Sequence, residues 1–287
     1  MPISKVVIPA AGFGTRMLPA AKSVPKEMLP VLNKPAIQYV VEEAIAAQAG
    51  DICFVVSGDK KAIEDHFDTH ADLERRLEEK GRSDWLESVA AMMRNARLFS
   101  VRQREQLGLG HAVLQAENHV GDEPFLCMLG DTIFSGIPAA KQLVEAQAQL
   151  GGSVIGLERV PAEKVSRYGI AGGTMLGAQT MRIESLVEKP VASDAPSDLA
   201  IAARYVLSPR IFTLLHETPR GKGGEIQLTD ALQQLVREET VHGIVLEGTR
   251  HDIGNPTDWL RTNLLFARQD DALWNELAPT LRTLLDT

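Results

Sequence analysis

Residues suited to handling a polyphosphate are concentrated near the start of the chain. The segment Pro9-Ala10-Ala11-Gly12-Phe13-Gly14-Thr15-Arg16-Met17-Leu18-Pro19 continues into Pro25-Lys26-Glu27-Met28-Leu29-Pro30. It follows a short β-branched run, Lys5 to Pro9. Small residues and glycines there let backbone N–H groups close around an anion or lie against a flat base. Arg16 and Lys26 add two cations, and donors plus cations on a glycine loop are what a triphosphate requires. A dinucleotide-binding fingerprint needs a third glycine where Met17 stands, and a Walker A loop needs Gly-Lys-Ser/Thr, which is absent. A bare Gly-x-Gly is no more than a tight turn, but this run is longer than a turn needs and carries prolines and charges.

A second candidate is Gly130-Asp131, after the apolar run Phe125 to Leu129. A carboxylate at the C-terminal end of a parallel strand faces the ligand crevice, and an oxygen ligand there suits Mg²⁺. Read alone, Gly-Asp is an ordinary turn. Glu188-Lys189-Pro190 closes another strand-like run, and in isolation a Glu-Lys pair is a solvated surface pair. Of the seven histidines, only His66 and His70 share an i, i+4 spacing. With no partner glutamate motif, they read as a solvated helix face. A Gly-x-Ser-x-Gly elbow is absent, so covalent catalysis is not suggested.

The pattern Gly-x-Gly-Thr-Arg-x-Leu-Pro…Pro-Lys-Glu-Met-Leu-Pro resembles that of the sugar-1-phosphate nucleotidylyltransferases. The resemblance continues in register through Val101-Arg102-Gln103…Leu107-Gly108-Leu109-Gly110-His111-Ala112, Gly130-Asp131, Tyr168-Gly169, Glu188-Lys189-Pro190, Gly224-Glu225-Ile226-Gln227-Leu228-Thr229-Asp230 and His251-Asp252-Ile253-Gly254-Asn255-Pro256, to about residue 268. It implies uridylyl transfer from UTP to glucose 1-phosphate, with UDP-glucose and pyrophosphate as products and Mg²⁺ as cofactor. Thymidylyl transfer to the same sugar phosphate, or a non-catalytic nucleotide-sugar-binding relative, are the competing readings. Carried over by residue, Ala11, Gly12, Gly14 and Thr15 would meet the nucleotide, and Glu27 would lie under the uridine. Gln103 would hydrogen-bond the uracil edge, with Gly108 touching it through the backbone. Arg16 and Lys26 would hold the triphosphate and the departing pyrophosphate. Gly169 and Glu188 would meet the sugar and Lys189 its phosphate, while Asp131 and Asp252 would ligate the metal. The segment from Gly224 to Asp230 is expected to be structural or to contact another subunit. Two positions depart from the family pattern: Ala21 stands where threonine is usual, and Ala203 where glycine is usual.

The elements needed to position these residues are legible in outline. Hydrophobic residues make up 44% of the 287 and charged residues 24%, as in folded globular proteins. The formal net charge of −8 makes a polymeric nucleic-acid partner a poor expectation, though one nucleotide is not excluded. Strand-like runs at Lys5–Pro9, Ile52–Val56, Leu98–Val101, Phe125–Leu129 and Ser153–Leu157 alternate with helical segments, including Ala36–Ala49, a long charged stretch from Ala71 to Asn95, Gly110–Asn118 and Lys141–Leu150. Alternating buried strands and helices predict an α/β fold: a Rossmann-like, mostly parallel mixed sheet flanked by helices, of the nucleotidyltransferase and glycosyltransferase-A type. A small extra β region is expected around Tyr168–Ala171 and Met181–Val187. C-terminal helices are expected over 257–285, broken near Asp270 and Pro279. The chain reads as one domain: a nucleotide-binding half (5–135), a sugar-phosphate half (136–256) and a tail (257–287). Exposed apolar residues in the tail, such as Leu264, Leu265, Phe266, Leu273 and Trp274, would serve a homodimer or homotetramer, or pack onto the chain's own sheet. Cys53 and Cys127 sit in apolar runs and read as reduced core thiols. No run of about 18 apolar residues suggests a membrane span, and the N-terminus lacks the segments of a signal peptide, so a cytoplasmic protein is expected.

Overall fold

The computed structural model describes residues 2–285. In chain order, β1 (Lys5–Pro9) is followed by β2 (Pro30–Val31), β3 (Lys34–Pro35), α1 (Ala36–Ala46), β4 (Asp51–Val56), α2 (Lys61–His66), α3 (Ala71–Glu79), α4 (Glu87–Asn95) and β5 (Arg97–Arg102). Then come α5 (Leu109–Leu114), α6 (Glu117–Val120), β6 (Phe125–Met128), β7 (Thr132–Ser135), α7 (Ala139–Leu150) and β8 (Ser153–Arg159). The second half adds β9 (Gly169–Met175), β10 (Thr180–Glu188), β11 (Leu199–Leu207), α8 (Arg210–Glu217), α9 (Leu228–Glu238), β12 (Val241–Val245), β13 (Thr249–Asp252), α10 (Pro256–Ala267) and α11 (Asp271–Leu285).

Nine strands form one sheet in the order β5-β4-β1-β6-β11-β8-β12-β10-β9. The first four are mutually parallel. Both faces of β1, β4 and β6 are covered, which is why they read as unbroken apolar runs, whereas β5 lies at the sheet edge and is largely exposed. Side chains alternate between two cores: Val6, Ile8, Ile52, Phe54, Leu126 and Met128 pack on one face with residues of α1 and α7. Val7, Cys53, Val55, Phe125 and Cys127 pack on the other with α5, α8 and α9. Both cysteines are buried and free, and burial pushes each thiol up to about 12.

The second half supplies the antiparallel part of the expected mixed sheet. β11 lies antiparallel between β6 and β8 in the middle of the sheet. The expected extra β region is the hairpin β9–β10, which joins the same sheet. The start of β11 pairs back onto β9 as well as onto β8, so the pairings β11-β8-β12-β10-β9 return on themselves.

Three local readings need correction. The stretch from Ala71 to Asn95 is two helices, interrupted after Glu79 where Gly81 takes a left-handed conformation (φ +65°). Pro279 lies inside α11 and does not break it. His66 and His70 do not share a helix face: His66 ends α2, is half-buried and bonds Gln38 at 3.0 Å, whereas His70 caps α3 by accepting from the Leu73 amide. In the tail, Phe266 packs edge-on against Tyr39, while Leu260 and Leu265 stay exposed.

Candidate active site

Parallel strands end on a common edge, and ligands bind beyond their carboxyl ends. Here β1 ends at the glycine-rich segment, β4 at Ser57-Gly58-Asp59-Lys60, β5 at Gln103 and β6 just before Gly130-Asp131. Two adjoining compartments open there. The first, of about 420 Å³, is lined by Ala11, Gly12, Gly14, Thr15, Gln103 and Gly108 among others. The second, of about 640 Å³, is lined by Arg16, Gly169, Glu188, Lys189, Arg250 and Asp252 among others. Lys26, Leu109, Leu129, Asp131 and Glu225 line both. Every site residue expected from sequence therefore reaches one of these two spaces.

At the junction lies a chain of charges. Lys26 Nζ stands 2.5 Å from Asp131 Oδ2 and 3.9 Å from Glu27 Oε1. Lys60 Nζ stands 3.2 Å from Glu27 Oε2, and both of these side chains are almost fully buried. Burial works to lower the Lys26 ammonium, but Asp131 and Glu27 outweigh it and hold it above its ordinary 10.5. For Asp131, burial favours the neutral acid, yet Lys26 and then Arg16 outweigh it and hold the carboxyl below 3.8. For Glu27 burial wins over Lys26 and Lys60, and the carboxyl is raised above 4.5.

Asp252 reaches the same place by a different route. It is the last residue of β13, which pairs antiparallel with β7 so that Asp252 faces Thr132, and the Ile253 amide donates to the Asp131 carbonyl at 3.1 Å. Asp252 Oδ1 accepts from the Gly254 amide at 2.8 Å. Two carboxylates from distant parts of the chain thus sit at one end of a short ribbon. This oxygen donor set fits Mg²⁺, which takes one or two carboxylates and fills its remaining positions from water and phosphate.

The first compartment presents a polar edge. Gln103 is buried, and its Nε2 lies 3.1 Å from the Gly108 carbonyl and 3.0 Å from His111 Nδ1. Gly108 has φ +99°, and a Cβ there would meet the Ile226 carbonyl at 2.7 Å, so only glycine fits. In the second compartment, Glu188 accepts from Thr229 Oγ1 at 2.6 Å and pairs with Lys189 at 2.9 Å. A Cβ on Gly169 would come within 3.3 Å of Glu188 Oε2 and 2.9 Å of Ile201, so the bare glycine leaves room for this carboxylate. The guanidinium groups of Arg250 and Arg167 lie 4.6 and 5.7 Å from the Tyr168 ring, and Arg250 is itself held by Glu158.

Several contributors escaped the sequence reading. Lys60, a buried cation paired with Glu27, was not among the residues singled out from sequence. The segment from Gly224 to Asp230, expected to be structural or to contact another subunit, puts Glu225, Gln227, Leu228 and Thr229 into the cleft wall. The signal for it was its position in the shared motif. Lys60 offered only its place four residues past a buried strand.

A glycine-lined anion cradle joined to a second polar compartment at the carboxyl edge of a largely parallel sheet is the architecture of a nucleotide-handling transferase. The Nucleotidyl transferase family model matches residues 5–269, and the chain belongs to that family. It is 47% identical over 283 residues to a protein of Staphylococcus saprophyticus named UTP–glucose-1-phosphate uridylyltransferase 2, covering 98% of each chain. Among solved structures it resembles a UTP-bound UGPase from Acinetobacter baumannii (TM-score 0.90, 36% identity, 97% of this chain and 98% of that one). It also resembles a UDP-glucose pyrophosphorylase complexed with UDP-glucose (TM-score 0.86, 37% identity, 93% and 99%).

Proposed function

We propose that this protein transfers the uridylyl group of UTP to glucose 1-phosphate, giving UDP-glucose and pyrophosphate. The observation that carries the reading is the meeting of the two compartments at Lys26 and Asp131. A nucleotide in the first and a sugar phosphate in the second would bring their phosphates together there. The names of the relatives favour UTP over dTTP.

In the proposed reaction, a phosphate oxygen of glucose 1-phosphate attacks the α-phosphorus of UTP. A new P–O bond forms as the bond to the β-phosphate oxygen breaks in line, and pyrophosphate leaves with that electron pair. The attacking oxygen is already ionised at neutral pH, so no general base is needed. The tasks left to the protein are positioning and charge compensation. Ala11, Gly12, Gly14 and Thr15 cradle the nucleotide, with Glu27 beneath the uridine. Gln103 and the Gly108 backbone read the uracil edge. Arg16 and Lys26 stabilise charge on the departing pyrophosphate. Gly169 and Glu188 meet the sugar, and Lys189 screens repulsion between the two phosphates. Asp131 and Asp252 would hold Mg²⁺, which supplies Lewis-acid charge neutralisation at the phosphate oxygens.

Incubating the purified protein with UTP, Mg²⁺ and glucose 1-phosphate should release pyrophosphate; its absence would remove the proposal and favour a non-catalytic nucleotide-sugar binder. Initial rates with UTP and dTTP side by side decide the base. One methyl changes binding by only about 1–3 kcal/mol, so some activity with dTTP is expected alongside faster use of UTP.

We further read the chain as one catalytic domain that acts in the cytoplasm as a homodimer or homotetramer. The free buried thiols support a reducing compartment. Exposed Leu260, Leu265 and Leu273 on the C-terminal helices offer a subunit contact. Among the described residues, no helix is long and apolar enough to cross a membrane. Light scattering on the purified protein measures the assembly directly.

A further inference from the structure

Arg204 is the largest fully buried side chain among the described residues, with 0% of its surface exposed. It lies on β11 opposite Met128, the last residue of β6. Its Nε is 3.1 Å from Glu43 Oε1, and its second terminal nitrogen is 2.7 Å from Glu43 Oε2. The remaining donors go to backbone. One terminal nitrogen donates to the Leu129 carbonyl at 3.3 Å, and the other to the Thr132 carbonyl at 2.8 Å. Those two carbonyls bracket Gly130-Asp131. Phe134 lies under the guanidinium at 5.0 Å. Glu43 is fixed in turn by the Ala140 amide at 2.8 Å.

We infer that Arg204, neutralised by Glu43, is a positioning residue that sets the height of Asp131 above the sheet. A planar guanidinium has donors at fixed angles, so tying both flanking carbonyls to one fork leaves the intervening residues little freedom. Stability is a poor explanation for the pair. Replacing a buried ion pair with packed apolar residues of similar size is often neutral or stabilising. What apolar residues cannot replace is the hold on Leu129 and Thr132. The inference rests on the assignment of Asp131 to the reacting phosphates.

The test uses the full chain carrying Glu43→Met with Arg204→Met, and separately Arg204→Lys, which keeps the charge against Glu43 but lacks the fork. Three quantities are read: melting temperature, kcat with KM for UTP, and amide exchange across residues 125–135. The double variant should melt cooperatively but below the wild type, because the Leu129 and Thr132 carbonyls and the Ala140 amide lose their side-chain partners. Its kcat should fall about ten- to a hundredfold through misplacement of Asp131, while KM for UTP stays within about threefold. Exchange should quicken at residues 130–132 and not in β6. Arg204→Lys should show the same pattern to a smaller degree.

A folded variant with wild-type kcat and wild-type exchange at 130–132 overturns the inference. If neither variant folds, exchange in the wild type decides. The Thr132 amide donates to the Leu129 carbonyl at 3.4 Å, and it should be protected like β6. Exchange as fast as an exposed loop would refute the inference. If the wild type itself releases no pyrophosphate, the functional reading fails, while the exchange measurements still report on whether Arg204 holds the loop.

Discussion

Asp131 and Asp252 are neighbours through the backbone: Asp252 faces Thr132 across the β7–β13 ladder, and the amide after Asp252 donates to the Asp131 carbonyl at 3.1 Å. The relationship brings together, through the backbone, two aspartates that lie 121 positions apart in the sequence. It also places Lys26, which touches Asp131, at the same point.

Removing any one of the groups proposed to face the metal or the phosphates should abolish most turnover and leave the fold. Asp131→Ala, Asp252→Ala and Lys189→Ala are each expected to lose about 10²–10³ in kcat, as single groups that stabilise transferring charge commonly do. Circular dichroism should match the wild type. Near-wild-type pyrophosphate release from any of the three would show that its role is misassigned.

The pH dependence of stability should carry a mark of Asp131. Its folded pKa lies below its unfolded value, so its stabilising effect is complete above the unfolded value and is lost as pH falls through the folded one. Asp131→Asn should therefore be destabilising at neutral pH, by an amount that is constant down to about pH 5 and shrinks below about pH 4. Urea denaturation across this range measures the difference. A gap that widened with acid would contradict the sign.

Lys60 should matter for stability more than its sequence context suggests. Lys60→Met leaves the Glu27 carboxylate buried with only Lys26 nearby, at 3.9 Å. Breaking a buried pair from one side costs about 3–5 kcal/mol. Adding Glu27→Gln should recover much of this. Chemical denaturation of the single and double variants gives the coupling, and additive losses would argue against it.

Ala203 occupies a left-handed conformation, φ +61°, at the register shift where β11 runs along β8, and it lines the second compartment. An L-residue there costs about 1–2 kcal/mol, which explains why the family pattern has glycine at this place. Ala203→Gly should raise the melting temperature by about 2–4 °C, the shift expected from about 1 kcal/mol in a chain of this size. Ala203→Val should lower it, because a β-branched side chain is a genuine outlier at positive φ. Thermal melts of the two variants should move in opposite directions.

The sequence located the cradle, the strand-end aspartate and the Glu-Lys pair because each is a local pattern. A glycine-rich turn, an apolar run and a carboxylate at its end are written within a few adjacent residues. The parallel half of the sheet was legible for the same reason: strands buried on both faces must be continuously apolar. Readings failed where the outcome depended on what lies across the fold. His66 looked solvated by its helical neighbours, yet it bonds Gln38 on another helix. Lys60 and Arg204 are cations by type and core residues by position, a reversal that requires Glu27 and Glu43 to be opposite them.

Residue order thus determined the kinds of group available and the turns that carry them. The approach of Asp252 to the Asp131 backbone, the placing of β11 between β6 and β8, and the burial of Arg204 beneath the Asp131 loop were decided only when the chain closed on itself. Such long-range pairings are set by the joint cost of leaving charges and backbone groups unsatisfied, a cost no single segment can express alone.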